Sequence, residues 1–432
     1  MANVLKRGNS YRITVSLGYD VFGKKIRETT TFTPDPKLTP KQEQKALEAF
    51  IYEFEKAARD GQLLSGRKIT FQVYAEKWLK EYAVPQLQPG TLVRYEYEIK
   101  NKLLPALGHL KLSDIKPIHI QSFYNNLLED GVRKDSKGGG YSAASIRKYH
   151  NILNIMLKTA VKWQIIEGNP CERITPPKQA KQTENIKFFT AEQSMCFLEL
   201  LENDLVYNTK ERSRLNSSGK AYTISSYTEA RKIPFQFKVF YTLAIFGGFR
   251  NGELLALTWD DIDFENNTVS INKAVSLVKG KHIIKEPKTK TSVRTVTLPQ
   301  SVMKVLRQHK TQQAEMILKL GDYYTNNNLL FTQDNGKMMH YHTPYHTFKK
   351  LIKYYNENVA SSESELLPDI PLHGLRHTSA TLLISEHVDV RTVSARLGHS
   401  QTSTTMNIYA HALKENDKIA SDKLDNLLKQ NA

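Results

Sequence analysis

Hydrophobic and polar positions change period several times along the chain, and each change marks an expected element. YRITVSL (11–17) and IRETTTF (26–32) are β-type runs on either side of the turn-like GYDVFGKK. They predict a small sheet. The period then lengthens. Thr39 can cap a helix, with Pro40 in its first turn and Gln42 three residues after the cap. Leu47, Phe50, Ile51, Phe54 and Ala58 follow the i, i+3, i+4, i+7 rule, and Gly61 can close the helix. Sheet and helix together make a first module, residues 1–66.

Residues 69–165 read as all-helical. Phe71, Tyr74, Ala75, Trp78, Leu79 and Tyr82 form one stripe; Ile120, Phe123, Tyr124, Leu127 and Leu128 form another. Ile146, Tyr149, Leu153, Met156, Leu157 and Ala160 form a third, after the loop GVRKDSKGGGY (131–141). Aromatic stripes at this spacing belong to a core, so no base contact is assigned to them. The expectation is a four-helix module carrying Lys and Arg on its outer faces. A Pro-, Gly- and charge-rich linker follows at 168–187. From Thr190 to about residue 420 the pattern is mixed but mostly helical, with TVSIN (268–272) and VRTVTL (293–298) as strands of a small sheet. The stretch 203–232 is polar, basic and weakly periodic, and reads as an inserted loop. The fold class is therefore multidomain and mainly α with small β-sheets: a β-rich N-terminal module, a helical domain and a mixed α/β domain over 184–420.

Composition narrows the function. The 432 residues suffice for two or three domains with sizeable cores. Lys plus Arg number 61 against 44 Asp plus Glu, a net charge of +17. A surplus of that size favours a polyanionic partner, because each neutralised phosphate releases condensed counterions. Cys171 and Cys196 are too few for a disulfide framework or a cysteine-based zinc site. No apolar run approaches the ~20 residues that span a bilayer, and the N-terminus lacks a signal-peptide profile. A reducing, cytoplasmic setting is expected, with no membrane partner.

Chemistry-bearing residues concentrate in four C-terminal stretches: GGFRNGELLALTWDDID (247–263), EPKTKTSVRTVTLP (286–299), LHGLRHTSATLL (372–383) and RLGHSQTSTTMNIYAHA (396–412). They supply Arg250, a Lys-rich turn, His373 and Arg376 on one helical face, then His399 and Tyr409. These residue types meet the needs of a metal-free phosphoryl transfer. Guanidinium forks bind the anionic phosphate bidentately and stay charged. Imidazoles donate to its oxygens or accept the nucleophile's proton. A phenol, with an ordinary pKa near ~10, can attack with such help, and a lysine can protonate the leaving 5′-oxygen. Competing readings are weaker. His373 and His377 stand at a zinc-ligand spacing, but Gly374 occupies the place where a metalloprotease carries Glu. Asp260, Asp261 and Asp263 on one turn are expected to face solvent, and Tyr241, Tyr324 and Tyr355 to pack.

The order Arg…Lys…His-x-x-Arg…His…Tyr resembles the catalytic signature of tyrosine recombinases, the phage and conjugative-element integrases in particular. The likeness spans nearly the whole chain and is most specific in GGFRNGEL, LHGLRHT and LGHSQTSTTMNIYAH. It implies that Arg250 and Arg376 clamp the scissile phosphate, with Glu253 orienting Arg250. It further implies that His373 assists as base, that His399 donates to a phosphate oxygen, and that Tyr409 forms a 3′-phosphotyrosyl intermediate. For the general acid it favours Lys288, in Pro-Lys-Thr, over Lys290. No cofactor or metal is implied. The domains become an arm-type DNA-binding domain (1–66), a SAM-like core-binding domain (69–165) and a catalytic domain (184–420). The tail at 413–432 is expected to dock on a neighbouring subunit or fold back on its own. The implied partners are double-stranded DNA at core and arm sites, a homotetramer, an excisionase and a host DNA-bending protein.

Overall fold

The computed structural model describes residues 2–19, 25–36, 38–59, 69–133, 138–178, 187–209, 211–215, 217–286, 292–399, 402 and 405–406. The chain divides into two compact units, Met1–Gln182 and Thr183–Ala432.

The first unit opens with strands β1 (Asn3–Arg7), β2 (Ser10–Tyr19) and β3 (Lys25–Phe32), antiparallel in that order. Helix α1 (Pro40–Arg59) packs Phe54 on Ile13 and Val15 of β2, with Leu47, Phe50 and Ile51 beside it. Its start is the predicted one: the Thr39 N–H and hydroxyl donate to Gln42 Oε1 at 3.0 and 2.9 Å. Strand β1 leaves no period to read in the sequence, because all five of its residues are exposed and carry no burial alternation. Gly61 lies outside the described residues.

The rest of this unit is a helical module. Helix α2 (Phe71–Trp78) runs on through a π-turn at Leu79–Ala83, and α3 (Pro89–Glu98) through another at Ile99–Leu103. Each π-turn directly precedes the first turn of a segment containing Pro85 or Pro105. Proline lacks an N–H and crowds the carbonyl four residues back, so a one-residue widening lets the helix continue. With α4 (Pro117–Leu128) and α5 (Ala143–Lys162) they bury the three predicted stripes around Trp78, Tyr74, Tyr124 and Leu153. Leu128 departs from its stripe. It ends α4 and is 48% exposed. The core also runs past residue 165. Ile165 and Cys171 are buried in it, and Arg147 Nε donates to Pro177 O at 3.0 Å, so the first part of the expected linker is packed structure.

The second unit begins with α6 (Ala191–Leu200), capped by Thr190 and Gln193. The expected loop at 203–232 is instead a two-stranded ribbon: β4 (Leu205–Thr209) pairs with β7 (Tyr227–Arg231), and β5 (Arg212–Leu215) with β6 (Ala221–Ile224). Its alternation was hidden because the outer ribbon buries neither face. Helix α7 (Phe235–Gly247) is buried on nearly all sides and forms the centre of the unit. Helix α8 (Asn251–Ala256) leads to strands β8 (Ile262–Asp263), β9 (Thr268–Ile271), the hairpin β10 (Ala274–Val278)–β11 (Lys281–Lys285), and β12 (Arg294–Thr297). The sheet order is β12-β9-β8, as an antiparallel meander. The two expected strands are β9 and β12; the hairpin β10–β11 is additional. Helices α9 (Gln300–Leu320), α10 (Thr343–Asn358), α11 (Gly374–Ser385) and α12 (Val390–Leu397) complete the unit. Tyr241, Tyr324 and Tyr355 are buried packing residues, as expected. Asp261 is not solvent-facing: it is buried and pairs with Lys273 at 2.7 Å, while Asp260 and Asp263 are exposed. Among the described residues no helix is long and apolar enough to cross a membrane.

Candidate active site

Three helix ends build the site. Helix α7 stops at Gly248, whose φ of 64° is the left-handed conformation that ends helices. A Cβ there would also lie 2.6 Å from Leu397 Cδ2 and 3.1 Å from Ser379 Oγ, so glycine lets the α7 and α12 ends approach without displacing those side chains. Helix α12 ends the same way, at Gly398 with φ 67°. The last carbonyls of a helix have no partner within it and carry partial negative charge. Here arginines supply the partners. Arg376, on α11 and 2% exposed, donates Nη1 to Gly248 O at 2.8 Å and Nη2 to Leu397 O at 2.5 Å. Arg250 donates Nη2 to Gly398 O at 3.3 Å. The two guanidiniums therefore grip adjacent carbonyls of one turn.

Arg250 is held from its other side by Glu253. Its backbone N–H donates to Glu253 Oε2 at 3.0 Å and its Nη1 to Oε1 at 2.7 Å. Burial pushes the Glu253 carboxyl up, but hydrogen bonds and charge from Arg294, then from Arg250, outweigh it and hold the group below its ordinary value. Arg294, on β12, donates Nη1 and Nη2 to the two carboxylate oxygens at 3.2 and 2.9 Å. Arg294 is not among the residues that mark the site in the sequence. A signal existed, however: it keeps step with the buried Val296 of its strand and with Leu298 just beyond it.

The histidines lie close to these arginines. His373 stands at the N-terminal boundary of α11, and its ring packs edge-on against His377 at 5.0 Å between centroids. Burial, then Arg376 and Arg250, lower the pKa of His373. His377 is lowered to about 4 by burial, His373 and Arg376. His399, next to Gly398, is also lowered to about 4 by burial, then Arg376 and Arg250. Its Nδ1 shares a 2.8 Å hydrogen bond with the buried Thr405 hydroxyl. Neutral imidazoles and fixed guanidinium charge make a pocket suited to an anion with an exchangeable proton nearby. The structure thus brings Arg250, His373, Arg376 and His399 together around the Gly248 and Leu397–His399 turns. Lys288, Lys290, Tyr409, His411 and the tail at 413–432 lie outside the described residues.

Comparison with known proteins bears on this arrangement. Residues 218–416 match the phage integrase family, and residues 70–128 match the phage integrase N-terminal SAM-like domain. A XerC-like tyrosine recombinase of Caldanaerobacter subterraneus subsp. tengcongensis is 30% identical across 98% of this chain and 98% of its own length. The ICEBs1 integrase of Bacillus subtilis is 26% identical, covering 97% of each. Among solved structures, the Tn1549 transposon integrase in complex with a circular intermediate DNA shares the fold. Its TM-score is 0.61 at 21% identity, covering 83% of this chain and 100% of that one. A lambda integrase dimer bound to a COC′ core site has a TM-score of 0.51 at 17% identity, covering 79% and 95%. Fold and relatives define a tyrosine-type site-specific DNA recombinase. The chain belongs to the phage integrase family of tyrosine recombinases.

Proposed function

We propose that the Arg250–Arg376 pair clamps a scissile phosphodiester while Tyr409 attacks it, leaving a 3′-phosphotyrosyl bond and a free 5′-hydroxyl. The observation that carries this reading is the meeting of Arg250, Arg376, His373 and His399, drawn from three separated stretches, at two helix ends. Arg250, the more open of the two arginines, directs charge to the non-bridging oxygens. In this reading the Thr405 hydroxyl, 2.8 Å from Nδ1, donates to it, so a neutral His399 carries its proton on Nε2, the tautomer able to donate to a phosphate oxygen. His373, also held neutral, takes the phenol proton. Lys288 protonates the leaving 5′-oxygen, with Lys290 as the other candidate. Rejoining is the same step reversed on a new 5′-hydroxyl, so bond energy is conserved in the phosphotyrosine and no cofactor or metal is required.

The DNA is duplex, at the attachment sites of a mobile element such as a prophage or conjugative transposon. Support comes from the Tn1549 and lambda integrases, solved on circular-intermediate and core-site DNA. The working assembly is a homotetramer, as for the lambda integrase tetramer bound to a Holliday junction. Residues 1–66 bind arm sites, 69–165 core sites, and 184–420 carry the chemistry; the tail from 413 links subunits. An excisionase and a host bending protein set direction.

The test is single-turnover cleavage of a nicked suicide substrate in EDTA. Cleavage is expected to proceed without divalent metal, and Arg376→Gln is expected to lose it while still shifting DNA in a gel. Cleavage that returns only with Mg²⁺ would replace this reading with a carboxylate-metal site.

A further inference from the structure

We infer that Arg294 is a positioning residue that neutralises Glu253, so that the charge of Arg250 stays available to the scissile phosphate. The inference rests on the reading of Arg250 given above. Its starting point is an imbalance in exposure. The Arg294 and Glu253 side chains are 7% and 5% exposed, whereas that of Arg250 is 37% exposed. The three form a chain with the carboxylate in the middle and the open arginine at the outer end.

Charge accounting gives the chain its purpose. Arg250 and Glu253 alone, in contact at 2.7 Å, would be a neutral pair, and a phosphate beyond it would meet little net attraction. Adding Arg294 leaves one positive charge on the trio. Arg294 takes both carboxylate oxygens and is buried, so the open end of the trio, through which that charge meets a ligand, is Arg250. The carboxylate can then orient Arg250 without cancelling it.

Arg294 is not itself placed to touch DNA. Each of its nitrogens donates to a protein oxygen: Nε to Arg396 O at 2.7 Å, Nη1 to Glu253 and to Ser292 O at 3.2 Å, Nη2 to Glu253. Its guanidinium lies over the Phe249 ring at 5.8 Å. The bond to Arg396 O fixes the end of α12 just before His399. A Cβ on Gly398 would come within 3.0 Å of Arg294 Nη1, so the turn lies directly against the guanidinium. A buried ion pair is weak evidence for a stabilising role, since its desolvation offsets its attraction. Holding a carboxylate and a second cation in the protein interior is better explained by the charge it leaves at the surface.

The experiment compares R294M, E253Q/R294M and R294K with the unaltered full-length protein, reading DNA affinity and the single-turnover cleavage rate separately. In R294M, Glu253 is left to Arg250 alone. Cleavage is expected to slow on the order of a hundredfold, as when one transition-state donor is lost, with affinity changed by about threefold or less. In E253Q/R294M the cancelling carboxylate is gone, and roughly tenfold of the rate should return. R294K, which keeps the charge but not the fork, should fall between R294M and the unaltered protein. Cleavage by R294M within about threefold of the unaltered rate, or a double variant no faster than R294M, overturns the inference. Should R294M fail to fold, E253Q/R294M decides by itself, since it buries no unpaired charge. A rate within about tenfold of the unaltered protein supports the inference, and a larger loss overturns it. If the unaltered protein forms no covalent adduct, the failure belongs to the proposed recombinase chemistry and not to Arg294.

Discussion

His399 and His377 carry a pH dependence whose sign follows from their surroundings. Both are held near 4 in the fold, against 6.5 in an unfolded chain. Between those values the unfolded chain binds more protons, so their contribution to stability is level above about pH 6.5 and is lost as pH drops towards 4, in the same direction as that of the buried His309 and of His373. Urea midpoints measured across that range should decline with acidity; a flat profile would mean that both imidazoles are charged in the fold. The general acid is a second question at this scale. A bridging 5′-phosphorothiolate needs no proton on its leaving group, so it should rescue Lys288→Ala, while Lys290→Ala should show a milder defect and little rescue. Rescue of Lys290→Ala instead would move the assignment two residues along. The candidate residues Arg250, His373, Arg376 and His399 were legible because each is a chemically unusual choice beside glycine or an apolar helix. Arg294 was not, because in sequence it is one more basic residue, at the start of a short strand that follows a Lys-rich turn. Only its phase with Val296 and Leu298 marks it as buried.

Elements whose apolar residues face one neighbour were readable from period alone. Helices α1, α2, α4 and α5 are examples, and their cores contain nearly all the predicted residues. The outer ribbon β5–β6 and strand β1 were not, since residues exposed on both faces leave no alternation to read. The meeting of helix ends at Gly248 was also invisible in sequence, because it depends on α12, far along the chain. It yields a sharp expectation. Gly248→Ala must hold a left-handed residue and place a methyl 2.6 Å from Leu397 Cδ2, so destabilisation of roughly 1–3 kcal/mol is expected from thermal or urea unfolding. A change within error would show that the α7 end can shift away from α12. At the other end of the chain, removing residues 1–66 should leave core-site cleavage intact and abolish protection of outer sites in a footprint. Loss of core-site protection as well would contradict the assignment of that module to arm sites.

For the molecule as a whole, a net charge of +17 predicts affinity dominated by phosphate contacts. About six to ten such contacts cost roughly a thousandfold or more in affinity between about 50 and 200 mM salt. A nearly flat dependence would detach the charge from DNA binding. Charge explains attraction but not cutting, which the proposed function assigns to the phenol of Tyr409, outside the described residues. The most direct measurement is therefore a denaturing gel of protein incubated with a nicked suicide substrate carrying labelled DNA, followed by peptide mapping of the adduct. The unaltered protein should carry DNA through a bond at Tyr409, and Tyr409→Phe should bind the same DNA yet give no adduct. An adduct that persists in Tyr409→Phe, or that maps to another residue, would contradict the account.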